Sequence, residues 1–174
     1  MISTTKALIL TGTVGSGKTT TAYAIGGLLR KDGVPHAVID LDELRRGWPA
    51  PADDPFGSRV ELANLAAVAA NYVAAGARRL VLAGVVEGEG ARERYAGALG
   101  MPVTIIRLKV ASALLDERLL ARHDPGDSRD WHLRRSGELE GILDREAVAD
   151  ATIRVHDDPA ELVAERVLEA TGWA

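Results

Sequence analysis

The residues with the clearest chemistry stand near the start of the 174-residue chain: Gly12-Thr13-Val14-Gly15-Ser16-Gly17-Lys18-Thr19. Their spacing is G-x-x-x-x-G-K-[ST]. They lie between an apolar run, Ala7-Leu8-Ile9-Leu10-Thr11, and a segment with helical spacing, the strand, loop and helix setting this pattern needs. Glycines at 12, 15 and 17 allow positive φ and turn successive N–H groups round an anion, and the helix beginning near Gly17 adds its positive end. Lys18 can reach β- and γ-phosphates, while the Thr19 hydroxyl is a hard oxygen ligand suited to Mg2+. The octapeptide reads as a P-loop. With Thr20 beside it, it outlines a site for ATP and magnesium, and the remaining residues are read for where a γ-phosphoryl group would go.

The first candidates are the acids of Asp40-Leu41-Asp42, which close the short apolar run His36-Ala37-Val38-Ile39. Open α/β sheets bind ligands outside the carboxyl ends of their strands. Asp40 is therefore expected to join Thr19 at the metal, and Asp42 or Asp40 to accept a proton from an acceptor hydroxyl. The alternative makes Asp42 only the N-cap of a short helix over Glu43-Leu44-Arg45-Arg46. The third apolar run, Arg79 to Val86, has no terminal Asp, so Glu87 just beyond it is a magnesium or substrate candidate, or else a solvated helix-start acid. Arg59 falls in the first turn of a helix, where a cation opposes the dipole, and so is a candidate for a substrate anion.

Further along, Arg118 and Arg122 share a helix face. The turn Asp124-Pro125-Gly126-Asp127 leads into Ser128-Arg129-Asp130-Trp131-His132-Leu133-Arg134-Arg135. An Arg-bearing flap over about 123–137 suits a lid that closes over phosphates, with Arg122 catalytic and Arg118, Arg129 and Arg135 as further contacts. Arg92 is a weaker anion candidate. His123 and His132 read as surface or packing residues.

Periodicity supplies the elements that must hold these groups. A first helix is expected from Thr20 to Lys31, with Gly26-Gly27 packed close to a sheet. A proline-rich loop, Gly47 to Gly57, should cover the substrate side. Ser58 should cap a helix to Ala75 with the stripe Leu62, Leu65, Ala69, Tyr72 and Val73. Later elements are a helix over about 91–99, a strand over 103–108, a helix from Ser112 to about His123, a helix that restarts at Ser128 and continues through Glu138 to Ala149, a strand over 151–155 and a terminal helix opened by Asp158-Pro159-Ala160-Glu161. Five strands alternating with helices predict a three-layer α/β/α sandwich on a parallel sheet, built as a single domain over 1–174.

Hydrophobic residues at 47% and charged residues at 26% are globular values. A net charge of -4 offers no basic field for nucleic acid or an anionic membrane, so neither is an expected partner. Without cysteine there is no disulfide framework and no thiolate nucleophile. The first residues enter a strand directly and no apolar run approaches membrane-spanning length, so the expected location is the cytoplasm. Monomer and homodimer are both open.

On the P-loop, Asp40-Leu41-Asp42 followed by Arg45-Arg46-Gly47, and Arg59 before a helix leading to Gly76, the chain resembles adenylylsulphate kinases. These are P-loop small-molecule kinases of the nucleoside monophosphate kinase-like group, and the resemblance extends more distantly to shikimate and gluconate kinases. The resemblance implies the sheet order 2-3-1-4-5, a substrate segment holding Asp42 and Arg45, and Arg59 binding an acidic group; Glu87 and Arg135, read from their own positions, complete the acceptor side. The resemblance also implies Arg118 or Arg122 near ATP, and the loop His156-Asp157-Asp158-Pro159 beside the adenine, with Asp157 and Pro159 as nucleotide contacts. The second strand is not followed by the full D-G-D-N-V-R form, so the acceptor does not transfer with the family.

The expected function is transfer of the γ-phosphoryl of ATP, with Mg2+, to a small anionic or hydroxylated metabolite or nucleotide, catalysed by Lys18, Asp40, Asp42 and Arg122. The alternative is a P-loop ATPase or nucleotide-binding switch without an acceptor. No Asn-Lys-x-Asp motif is present for a GTPase.

Overall fold

A computed structural model describes residues 5–122 and 124–173, with the Arg122 side chain also outside the described set. The strands are β1 (Lys6–Thr11), β2 (His36–Asp40), β3 (Arg79–Ala83), β4 (Val103–Val110) and β5 (Ala151–Val155). They form a sheet in the order β2-β3-β1-β4-β5, and every neighbouring pair is parallel. The helices among the described residues are α1 (Lys18–Lys31), α2 (Leu41–Leu44), α3 (Ser58–Ala74), α4 (Ala91–Leu99), α5 (Ser112–Arg122), α6 (Asp127–Glu146) and α7 (Ala160–Thr171).

Strand side chains alternate between faces, so the near-continuous apolar runs divide into two cores. Leu8 and Leu10 of β1 join Val81, Ile106 and Leu108 against Ile25 and Leu29 of α1 and Val163 and Val167 of α7. Ala7 and Ile9 turn the other way, with Leu80, Leu82 and Ile105, against Leu65 and Ala69 of α3 and Tyr95 and Leu99 of α4. The three layers follow from that division. Each fully buried Leu or Ile contributes about 1.5–3 kcal/mol of transfer free energy.

Local expectations hold where spacing is short and change where a distant partner intervenes. Gly26 meets the sheet closely: a Cβ there would stand 2.9 Å from Val38 Cγ2, whereas one on Gly27 would meet nothing within 4 Å. Ser58 does not cap α3. Gly57 occupies that position, and the buried Asp54 reaches back to accept from Ser58 N at 2.8 Å and Arg59 N at 3.0 Å, so the proline loop caps its own exit helix. Tyr72 lies 43% exposed, because the buried stripe of α3 runs through Glu61, Leu65 and Ala69 instead. Asp158 does not cap α7 either: its carboxylate accepts from His156 N and Arg166 Nη1, both at 3.1 Å.

Candidate active site

The P-loop leaves the carboxyl end of β1 and enters α1 through Gly17, whose φ is 88°. Gly12 is required by close approach as well as by its φ of 152°, since a Cβ would come within 2.6 Å of both Leu108 O and Ser16 Oγ. Inside the loop Ser16 Oγ is buried without a protein hydrogen-bond partner, and Thr13 Oγ1 donates to Ser136 O of α6 at 2.8 Å. Lys18 Nζ donates to Gly12 O at 2.9 Å and Thr13 O at 2.8 Å, which holds the ammonium at the rim of the loop.

At the second residue of α1, Thr19 Oγ1 donates to Asp40 Oδ2 at 3.0 Å. The other oxygen, Asp40 Oδ1, accepts from Asp42 N at 3.0 Å, so Asp40 and not Asp42 is the N-cap of α2. The cap fixes the carboxylate at the end of β2, facing the hydroxyl of the adjacent layer. A magnesium ion and a triphosphate fit these residues. Two hard oxygen donors stand together, Gly12 has no room for a side chain, and the orphaned Ser16 hydroxyl can donate to an anion.

A cavity of about 810 Å3 opens beside the loop and is lined by Gly15, Gly17, Lys18, Thr19 and Thr20 on one side. Asp42, Arg45, Glu61, Glu87, Arg94 and Arg135 bring charge to its other walls, and Phe56, Val60, Tyr95, Trp131 and Leu139 bring apolar surface. The proline loop forms one side through Pro49, Pro51 and Pro55, as its composition suggested.

Asp42 and Arg45 form an ion pair, and Arg45 Nη1 also meets Glu61 Oε2 at 3.2 Å. Glu61, only 2% exposed, receives Tyr95 OH at 2.5 Å on its other oxygen. Burial is the largest influence on Glu61 and raises its carboxyl above the ordinary value, against the opposing Tyr95 hydrogen bond and Arg45 charge. Burial also raises the Tyr95 phenol, reinforced by Glu61, so the phenol stays a proton donor. Glu61 and Tyr95 were not singled out by motif. The available signal was a carboxylate four residues before Leu65 and eight before Ala69, on a buried stripe.

Glu87 sits across the cavity and pairs with Arg135 Nη2 at 3.0 Å, joining the loop after β3 to α6. Arg118 Nη2 donates to His156 O at 3.3 Å, which brings α5 to the loop bearing Asp157 and Pro159. That helix also packs on the P-loop, since a Cβ at Gly15 would stand 3.5 Å from Leu119. Arg59 is not brought to the cavity: it is exposed and pairs with Asp53 at 2.7 Å. Arg92 is also elsewhere, clamping Val103 O, Val148 O and Asp150 at 2.7–3.1 Å, a structural role that fastens α4 to the ends of β4 and β5. The Arg122 side chain, expected at the phosphates, lies outside the described residues, as does His123 at the start of the expected lid. In the rest of that lid, residues 124–126 precede α6 and 127–137 form its first half, continuous with the remainder of the helix.

The adenylylsulphate kinase family model matches residues 4–93 of the 174. The chain belongs to the adenylylsulphate kinase family. The matched stretch carries the P-loop, Asp40, Asp42, Arg45, Glu61 and Glu87, while α5 and α6 lie beyond it. No curated protein matches significantly. Among solved structures, the tunicamycin resistance protein of Deinococcus radiodurans is similar at a TM-score of 0.67 and 20% identity, over 97% of this chain and 96% of that one. Shikimate kinase from Acinetobacter baumannii, in complex with shikimate, gives 0.61 and 21% over 97% and 94%. The adenylylsulphate (APS) kinase of Mycobacterium tuberculosis, in complex with AMPPNP and APS, gives 0.55 and 19% over 97% and 98%. The sheet order is the one this kinase family implied, and the chain is a P-loop small-molecule kinase.

Proposed function

We propose that this family member transfers the γ-phosphoryl group of ATP to a hydroxyl oxygen of a small acceptor seated between α2, α3 and α6. The observation that carries the reading is the Thr19–Asp40 contact at 3.0 Å, with Asp42 two residues on and facing the same cavity as Lys18. Thr19 and Asp40 would hold Mg2+, which when bound supplies positive charge to the phosphate oxygens. Lys18 and the backbone N–H groups of Gly12 to Thr20 hold the triphosphate, and Arg118, Asp157 and Pro159 flank its nucleoside end. Asp42 takes the proton from the acceptor hydroxyl as that oxygen bonds to phosphorus and the bond to the departing ADP breaks. Arg45 and Arg135 keep Asp42 and Glu87 in place, and Arg122 is assigned to the transferring group.

The test is Asp42→Asn. Acceptor-dependent ADP formation should fall by about 10²–10⁴-fold, the range for a lost proton-transfer group, with AMPPNP affinity unchanged by calorimetry. Undiminished turnover would remove Asp42 from the reaction.

A further inference from the structure

Four arginines line the cavity, and three of them are committed to carboxylates. Arg45 is held between Asp42 and the buried Glu61. Arg135 is held between Glu87 at 3.0 Å and Glu138 at 3.6 Å, and Arg46 meets Glu43 at 3.3 Å. Drawing Arg45 away would strand Glu61, 2% exposed, with only the Tyr95 hydroxyl to compensate a buried charge. The fourth, Arg94 of α4, forms no ion pair among the described residues and meets main-chain oxygens only. Arg59, where the family resemblance placed an acidic group, is outside the cavity and paired with Asp53.

The fold orients Arg94 before any ligand arrives. Its guanidinium lies over the turn Gly88-Glu89-Gly90, with Nη1 donating to Glu89 O at 2.5 Å and Nη2 to Glu87 O at 3.4 Å. Both glycines of that turn have positive φ, 92° and 68°, and a Cβ on either would stand against the guanidinium at 3.4–3.5 Å. The turn is itself fastened, since Gly88 N donates to Glu146 Oε2 at 2.7 Å and the Glu87 side chain is tied to Arg135. Carbonyl oxygens aim a guanidinium without neutralising it, and a planar fork so held has further N–H donors for an oxyanion. We propose that Arg94 is the specificity-determining residue of the acceptor site, receiving an anionic group of the acceptor (a carboxylate, sulphate or phosphate) in the role the resemblance gave to Arg59. Arg45 and Arg135 then keep their carboxylates, and Asp42 stays available to a hydroxyl elsewhere on the same acceptor. This rests on the phosphotransferase reading and assigns the recognition of its acceptor.

The test fills the P-loop first, so that an added anion cannot settle in the phosphate cradle. Protein saturated with AMPPNP and Mg2+ is titrated with inorganic sulphate by calorimetry, in the wild type and in Arg94→Gln, Arg94→Lys and Arg59→Gln. Loaded wild-type protein should show a saturable sulphate site. Arg94→Gln should weaken it at least about tenfold, Arg94→Lys, which keeps the charge and loses the fork, should weaken it less, and Arg59→Gln should leave it as in the wild type. Arg94 is exposed, so neither replacement strands a buried charge. Absence of a saturable sulphate site on loaded wild-type protein, equal affinity in Arg94→Gln, or loss of the site in Arg59→Gln overturns the assignment to Arg94 and leaves the phosphotransferase reading standing. Failure of AMPPNP to bind the wild type overturns that reading, and this proposal with it.

Discussion

Glu61 shows how a single side chain ties the fold to the site. It spends a position of the apolar stripe of α3 on a carboxylate, and in return Tyr95 of α4 and Arg45 beside α2 are fixed on its two oxygens. Because burial raises its carboxyl, the native protein binds more protons than the unfolded chain between the ordinary carboxylate value and the raised one. Its contribution to stability therefore falls as pH rises through that window. Chemical denaturation across mildly acidic pH should show a shallower slope for Glu61→Gln than for the wild type, and an identical slope would contradict this. Tyr95→Phe should cost about 1–3 kcal/mol in the same measurement by leaving a buried carboxylate oxygen without its donor. At this scale the sequence displayed the P-loop and Asp40-Leu41-Asp42 plainly, because their chemistry lies in contiguous spacing. Glu61, Arg45 and Tyr95 come from three elements and share no spacing. Arg59 is similar: its helix-start position implied an anion, and in the structure it pairs with Asp53, six residues upstream.

Among the elements, α6 joins the helix expected to restart near Ser128 with its expected continuation from Glu138. The Arg-bearing flap, expected to restart a helix, is one end of a 20-residue helix whose other half is anchored to the sheet. Arg107 of β4, 6% exposed, pairs with Glu140 and meets Asp144 at 2.7 Å, and Lys109 reaches Asp144 at 2.7 Å. Hydrogen bonds from Lys109 and Arg107 hold the Asp144 carboxyl below its ordinary value. Glu146 adds an acceptor for Gly88 N at 2.7 Å, and Ser136 O accepts from Thr13 of the P-loop. A helix fastened at these points carries Trp131, His132 and Arg135 over the cavity from a fixed base. Arg107→Ala should therefore destabilise the protein by about 3–5 kcal/mol, the cost of breaking a buried ion pair, read as a shift in denaturation midpoint. A shift under about 1 kcal/mol would show the pairing to be a solvated surface contact. The sequence displayed helical spacing on both sides of Arg135 but not the anchors, since Arg107 and its partners are 33 and 37 positions apart.

Across the whole molecule, the P-loop after β1, Asp40 at the end of β2 and Glu87 after β3 converge because the strands are parallel and adjacent in the order β2-β3-β1. The alternating strand and helix pattern was enough to predict the layers. The order itself came from family resemblance, because pattern alone does not choose among parallel arrangements. The two cores share one sheet, so unfolding is expected as a single cooperative transition in which fluorescence and circular dichroism coincide; separate transitions would argue for two units. The central claim is that the P-loop delivers phosphoryl to an acceptor and not to water. Its most direct test follows ADP, free phosphate and phosphorylated product together in wild type and Lys18→Ala, with MgATP and a panel of small hydroxyl compounds, anionic and uncharged. ADP should rise with one acceptor, match its phosphorylated product one for one, and fall by orders of magnitude in the variant. ADP formed at the same rate without any acceptor, matched by free phosphate, would contradict the account.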